Sequence, residues 1–67
     1  MKAKDFVRLD ASGMIFRVVD ASKPGYMAKP CVLVEADKNV VTTNYGECEI
    51  VGFENASKRT MIIYVKY

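Results

Sequence analysis

Two arginines lie in the most regularly patterned stretch of the chain, VRLDASGMIFRVV at residues 7–19. Apolar and polar residues alternate on both sides of Ser12-Gly13, which is typical of two strands joined by a tight turn. A two-residue turn places Arg8 opposite Arg17, and a four-residue turn shifts the pairing without exchanging the faces. We therefore expect both guanidinium groups to emerge side by side, where they could bind a phosphate or carboxylate.

A structural explanation of the same pair is the alternative. Like charges directly opposite each other in a hairpin repel. Asp10, two residues from Arg8 on the same predicted face, or another acidic neighbour can neutralise the two arginines. The sequence favours this interpretation over polyanion binding.

Residue types suited to catalysis are sparse. The chain has no histidine, which is the commonest general acid or base and a member of most nucleophilic triads. Glu47 and Glu49 are the only close carboxylates on one predicted strand face, as expected for a solvated surface. The four glycines stand apart and form no phosphate-binding loop. We therefore predict a protein that is not an enzyme, with no cofactor, metal or catalytic residue.

The two cysteines do not form a recognisable redox or metal motif. Cys31 and Cys48 are not in a Cys-x-x-Cys pair, and no histidine is present to complete a zinc site. Free cysteine is among the most buried residue types. We expect two reduced, buried thiols, with a disulfide as the alternative.

Length and composition predict one folded domain spanning residues 1–67. The chain is 51% hydrophobic and 27% charged, which is too apolar for a disordered segment. No apolar run reaches the roughly 18 residues of a membrane span, and no signal-like segment follows Met1, so we predict a cytoplasmic protein. A net charge of +2 permits an anionic partner but is lower than in dedicated nucleic-acid binders.

The order of apolar runs predicts an all-β fold. Short β-branched and aromatic segments recur between turn residues, and no segment of ten residues has the apolar spacing of an amphipathic helix. In the predicted hairpin, Leu9, Met14 and Phe16 share the buried face. The predicted strands lie near residues 4–10, 14–20, 31–36, 40–44, 48–53 and 61–66.

The segment DFVRLDASGMIFRVVD resembles the first hairpin of SH3-like small β-barrels. It is most similar to KOW-type modules and to small uncharacterised bacterial SH3-like proteins. The segments PCVLVEA, VVTTN and CEIVGF follow in the order of that barrel, so the resemblance covers about residues 5–53. It implies an SH3-like small barrel of five strands, with TMIIYVKY as an additional C-terminal strand.

Two segments have the composition of partner-binding surfaces. The loop at residues 22–30, SKPGYMAKP, places Tyr26 and Met27 among lysines. Tyrosine and methionine are enriched at interface cores, and an aromatic ring among lysines can stack a nucleic-acid base. In the alternative, these two side chains fold back over an open end of the barrel.

The C-terminal strand is apolar on both faces. Ile62 and Tyr64 occupy the face that a half-exposed strand would fill with polar residues. A 67-residue barrel has little material for a second layer. We therefore expect Ile62 and Tyr64 to contact another chain, in a homodimer or by pairing at a sheet edge.

These features predict a binding module that acts by protein-protein contact, as a small accessory or regulatory protein of a bacterium or phage. The partner-binding residues would be Tyr26, Met27, Ile62 and Tyr64. The alternative is a KOW-type nucleic-acid-associated module in transcription or translation. Its polyanion-binding residues would be Arg8, Arg17, Lys23 and Lys29.

Overall fold

A computed structural model describes all residues, 1–67, as one mixed sheet with two short helices. The strands are arranged in the order β2-β1-β4-β3, with β1 and β4 parallel and the two outer pairs antiparallel. Neither helix is long or apolar enough to cross a membrane. The elements are α1 (Ala3–Val7), β1 (Ile15–Asp20), β2 (Val32–Ala36), α2 (Lys38–Tyr45), β3 (Glu49–Asn55) and β4 (Thr60–Lys66).

The protein is predominantly β, as predicted, but the predicted five-stranded barrel is wrong. The sheet has four strands and is open, because β2 and β3 are its edges and do not pair with each other. The segment predicted as an additional strand, β4, lies inside the sheet between β1 and β3. Its two faces are covered by other parts of the chain, the helices on one side and Tyr26 on part of the other, which explains why β4 is apolar on both.

The predicted strand at residues 4–10 is instead a helix followed by a turn. Ala3 and Val7 are both fully buried, and residues four apart lie on the same side of a helix. The alternation of Val7 and Leu9 suggested a strand, yet Leu9 is 69% exposed. Both neighbouring positions beside β1 are occupied by β2 and β4, so no space remains for the predicted hairpin partner.

The predicted strand at residues 40–44 lies within α2. Its β-branched residues favour a strand, but the side chain of Asp37 accepts hydrogen bonds from the backbone N–H groups of Asn39 and Val40 and caps a helix. Val41 is fully buried, and Tyr45, four residues later, packs against the same core. Capping and tertiary packing therefore outweigh the local preference for a strand.

Both faces of the sheet carry apolar clusters. The helices cover one face and enclose the main core, whereas the 21–31 loop covers part of the outer face, where a smaller cluster lies. The main core contains Ala3, Val7, Phe16, Val18, Val41, Cys48, Ile63 and Val65. The outer cluster contains Val19, Ala21 and Tyr64, with Tyr26 and Ile62 packed against it.

The two helices meet at Gly46, the residue that ends α2. Its carbonyl oxygen accepts the N–H of Lys4 at 3.0 Å, and an added Cβ would lie 2.3 Å from the backbone oxygen of Thr42. We expect Gly46→Ala to lower the free energy of unfolding by about 1–3 kcal/mol, because the backbone must shift to relieve the overlap. Urea unfolding followed by circular dichroism measures this change.

Gly52→Ala is the matched control for this substitution. An added Cβ at Gly52 would meet Cδ2 of Tyr64 at 3.6 Å, an ordinary van der Waals distance. The control variant is expected to unfold at a urea concentration close to that of the unmodified protein. Equal losses in the two variants would contradict the tight contact at the end of α2.

Candidate functional site

The structure separates Arg8 from Arg17, so the prediction that they emerge side by side is wrong. Arg8 follows α1 on the helix-covered side, because residues 7–10 are not a strand beside β1. Arg17 lies on the outer face, where its Nε donates to Oε2 of Glu35 on β2 at 2.5 Å. An acidic neighbour therefore neutralises Arg17, and that neighbour is Glu35 rather than Asp10.

The 21–31 loop folds back over the outer face through one aromatic residue. The ring of Tyr26 packs against that of Tyr64, with centroids 5.4 Å apart. Met27, the next residue, is 64% exposed. Lys23 and Lys29 are exposed in the same loop. The predicted alternative, in which the loop covers its own chain, therefore describes Tyr26 but not Met27.

Three of the four predicted partner-binding residues come together within the protein. Tyr64 is buried, and its hydroxyl donates to the carboxylate of Glu54 on β3. This hydrogen bond raises the pKa of Tyr64. Ile62 is half-buried and packs with Tyr26 against the same cluster. The outer apolar face is therefore partly filled by contacts within the chain.

A pocket that the sequence did not indicate opens on the other side of the sheet. It has a volume of about 450 Å³ and lies between the end of α1, the 10–14 loop and the beginnings of β1 and β4. Six of its eight lining residues are hydrophobic. We call it the α1 pocket, and its lining residues are Phe6, Leu9, Asp10, Ala11, Ser12, Met14, Phe16 and Met61.

Aromatic rings connect the α1 pocket to the surface. The ring of Phe6 lies edge-on to that of buried Phe16, with centroids 6.5 Å apart, and 5.0 Å from that of Phe53. Phe53 is 59% exposed, and Leu9 on the pocket wall is 69% exposed. An apolar surface therefore extends from the core into solvent, where large exposed apolar side chains are often binding sites.

Hydrogen bonds hold the rim of the α1 pocket in place. The Asp10 carboxylate accepts the backbone N–H and hydroxyl of Ser12 and the N–H of Met14, at 3.0, 2.9 and 2.8 Å. Desolvation opposes ionisation of Asp10, but these hydrogen bonds outweigh it and lower its pKa. Nζ of Lys38 donates to the Asp10 carbonyl oxygen at 2.8 Å and ties the rim to α2. The pocket is therefore formed before any ligand binds.

Sequence reasoning recognised some of the pocket residues but not the pocket. Leu9, Met14 and Phe16 were predicted to share the buried face of a hairpin, and the structure does bring them together. They surround an opening because residues 3–7 form a helix and the following residues a turn, so this segment does not pair with β1. No local pattern in the sequence indicates this opening.

The cysteines are unpaired in the structure and differ in exposure. Cys48 is buried in the main core, and this burial raises the pKa of its thiol. Cys31, the residue before β2 in the chain, is exposed. The prediction that both thiols are buried is therefore wrong for Cys31. The structure contains no group of three or more cysteine, aspartate and glutamate side chains placed to hold a metal ion.

A charged cluster holds the N-terminal segment against the sheet. Glu47 pairs with Nζ of Lys4 at 2.5 Å and of Lys2 at 2.9 Å. Hydrogen bonds from Lys4 and Lys2 lower the pKa of Glu47 from 4.5 to about 2. Both lysines are thereby engaged within the protein.

The Glu47 cluster predicts a pH-dependent stability difference between the protein and its Glu47→Gln variant. Because the folded pKa is lowered, ionised Glu47 stabilises the folded state above its ordinary pKa of 4.5, and this stabilisation is lost as the pH falls towards 2. Urea unfolding of both proteins between neutral pH and about pH 2 measures the difference. A difference that stays constant over this range would contradict the prediction.

The fold and site define a predominantly β protein with an open four-stranded sheet, one helical layer and a preformed apolar pocket. Comparison of the chain with family models, curated proteins and solved structures found no match.

Proposed function

We propose that this protein is a non-enzymatic binding module that acts by protein-protein contact, with the α1 pocket as its principal contact site. The observation that carries this proposal is the apolar pocket of about 450 Å³ with Leu9 and Phe53 exposed beside it. Concave, largely apolar and preformed sites are typical of ligand and partner recognition. A bulky side chain of a partner would bury these exposed groups on entering the pocket.

The site differs from the partner-binding surface predicted from the sequence. Tyr26, Ile62 and Tyr64 already pack against one another, which leaves less apolar area for another chain. The proposal therefore does not require a homodimer through β4. A role as an accessory or regulatory protein of a bacterium or phage remains a prediction from the sequence.

The KOW-type nucleic-acid function receives less support from the same geometry. Arg17 is paired with Glu35, and the ring of Tyr26 lies against Tyr64 instead of standing free to stack a base. Phosphate contacts release counterions, so such a module would bind RNA or DNA most tightly at low salt. We expect no binding of a generic RNA at low salt, and strong, salt-sensitive binding would favour the alternative.

Site-specific photocrosslinking tests the proposed function. A benzophenone amino acid in place of Phe53 reports on the apolar surface next to the α1 pocket, and one in place of Val32 reports on an exposed apolar position elsewhere. Val32 is 50% exposed and pairs with Val19, near the opposite end of β1. In cells of the source organism, we expect position 53 to crosslink a defined protein that position 32 does not.

A pocket variant makes this test specific. Leu9→Asp places a charge on the pocket wall at a side chain that is 69% exposed, so the fold is expected to tolerate it. The crosslink from position 53 should disappear in this variant, and the purified partner should bind the protein but not the variant. Crosslinking that persists in Leu9→Asp, or that is equal at both positions, would overturn the proposed site.

A further inference from the structure

We infer that the α1 pocket binds an acidic peptide segment of its partner, with a bulky apolar side chain of that segment inserted into the pocket. This inference rests on the proposed function and adds the chemical class of the partner. It is carried by the charges beside the pocket.

Three exposed cations lie at the end of the sheet where the pocket opens. Arg8 directly precedes Leu9, which lines the pocket. Lys58 and Arg59 form the turn between β3 and β4, and the carbonyl oxygen of Arg59 accepts the N–H of Ile15 at 2.7 Å. This hydrogen bond places the turn beside the start of β1.

None of these three cations takes part in an ion pair, which is also true of Lys23, Lys29, Lys38 and Lys66 elsewhere on the protein. Lys2 and Lys4 pair with Glu47, and Arg17 pairs with Glu35. Arg8, Lys58 and Arg59 therefore remain available to a partner.

The acidic residues near the pocket are fewer than these cations. Asp10 is the only acidic lining residue, and hydrogen bonds from its own loop keep it ionised, so it offsets one of the three positive charges. Asp5 lies on α1 close to Lys2, whose pKa is raised mainly by Glu47 and also by Asp5. The surroundings of the pocket are therefore positive, and charge complementarity favours an acidic partner.

The lining of the pocket indicates the side chain that it takes. Phe6 and Phe16 provide aromatic walls, while Met14 and Met61 are unbranched and adapt to different shapes. Such a lining suits an aromatic or long aliphatic side chain better than a polar one. The partner segment is thus an apolar anchor flanked by aspartate or glutamate.

Selection from a random peptide display library on the full-length protein tests this inference. Counter-selection against Leu9→Asp keeps only peptides that need the pocket. We expect the enriched peptides to share a phenylalanine, tryptophan, leucine or methionine close to several acidic residues. Fluorescence anisotropy of a synthetic peptide should show affinity that weakens as salt rises.

Two double variants with the same change in charge provide the matched comparison. Arg8→Glu with Arg59→Glu reverses two cations beside the pocket and is expected to weaken peptide binding about tenfold. Lys23→Glu with Lys29→Glu reverses two exposed cations in the 21–31 loop, and is expected to change binding less than about twofold. Equal effects of the two double variants would show that only net charge matters and would overturn the inference.

The remaining outcomes separate this inference from the proposed function. Pocket-dependent peptides without acidic residues would overturn the inference that the partner segment is acidic. They would leave the α1 pocket as a protein-binding site. Selection that enriches no pocket-dependent peptide, with decanoate bound by the protein but not by Leu9→Asp, would overturn the inference in favour of a small amphiphile. The photocrosslinking experiment then decides the proposed function independently.

Discussion

Ile63→Ala is expected to leave a large fraction of the protein unfolded in the absence of denaturant. Ile63 is fully buried on β4 and packs in the main core between the sheet and the helices. Truncation of a buried isoleucine to alanine costs about 2–5 kcal/mol. A single core of this size supplies only about 3–5 kcal/mol of net stability. The expected loss is therefore close to the entire free energy of unfolding. Circular dichroism and urea unfolding measure the effect.

Val51→Ala is the matched control for the Ile63 variant. Val51 is also a β-branched residue in the sheet, but it lies at a register shift in the edge strand β3 and is 46% exposed. Its truncation is expected to change the free energy of unfolding by about 0.5 kcal/mol or less. If both variants lost the same stability, the placement of β4 inside the sheet, with Ile63 in the main core, would be wrong.

Tyr26→Ala is expected to lower the free energy of unfolding by about 1–3 kcal/mol. The Tyr26 ring covers Tyr64 and the outer cluster, with ring centroids 5.4 Å apart. Its removal exposes apolar side chains, including buried Val19. We therefore also expect the variant to self-associate more than the unmodified protein in sedimentation velocity, because the exposed apolar face can pair with a second copy.

The neighbouring residue supplies the control for this loop. Met27 is 64% exposed and is not part of the outer cluster. Met27→Ala is expected to leave both stability and sedimentation unchanged. A larger effect of Met27→Ala than of Tyr26→Ala would show that the loop covers the sheet through a different residue.

The outer face explains why the sequence suggested an interface. Ile62 and Tyr64 are apolar where a half-exposed strand would be polar, and another chain was the expected cover. The structure supplies a cover from the same chain, since the 21–31 loop brings Tyr26 onto Tyr64. Apolar residues on both faces of a strand indicate that both faces are covered. They do not specify whether the cover comes from the same chain or from another molecule.

The positions of the strands were largely predictable from the sequence. The predicted strands at 14–20, 31–36, 48–53 and 61–66 overlap β1, β2, β3 and β4. Runs of β-branched and aromatic residues between turn residues are a local signal, and they act on the segment that contains them. The positive φ of Gly25, 77°, is likewise a local feature, because glycine adopts this conformation without steric cost.

The helices were not predictable in this way, because each is too short to establish its own period. The five residues of α1 fit a strand as well as a helix until Ala3 and Val7 are seen to be buried on one side. In α2, the residues VVTT favour a strand, and the helix depends on the Asp37 cap and on the burial of Val41. The Asp37 cap is local, but the burial of Val7 and Val41 in the main core joins segments that are far apart in the chain.

The sequence by itself determined a small, predominantly β protein, the places of its four strands and the scarcity of catalytic residue types. Only the tertiary structure decided the sheet order, the pairing of Arg17 with Glu35 and the α1 pocket. The physical reason is that strand formation follows local residue preferences, whereas neighbours across a sheet are chosen by how all segments bury their apolar groups together. Leu9 shows the difference: its alternation predicted burial in a strand, but it lies in the turn after α1 and is exposed on the pocket wall.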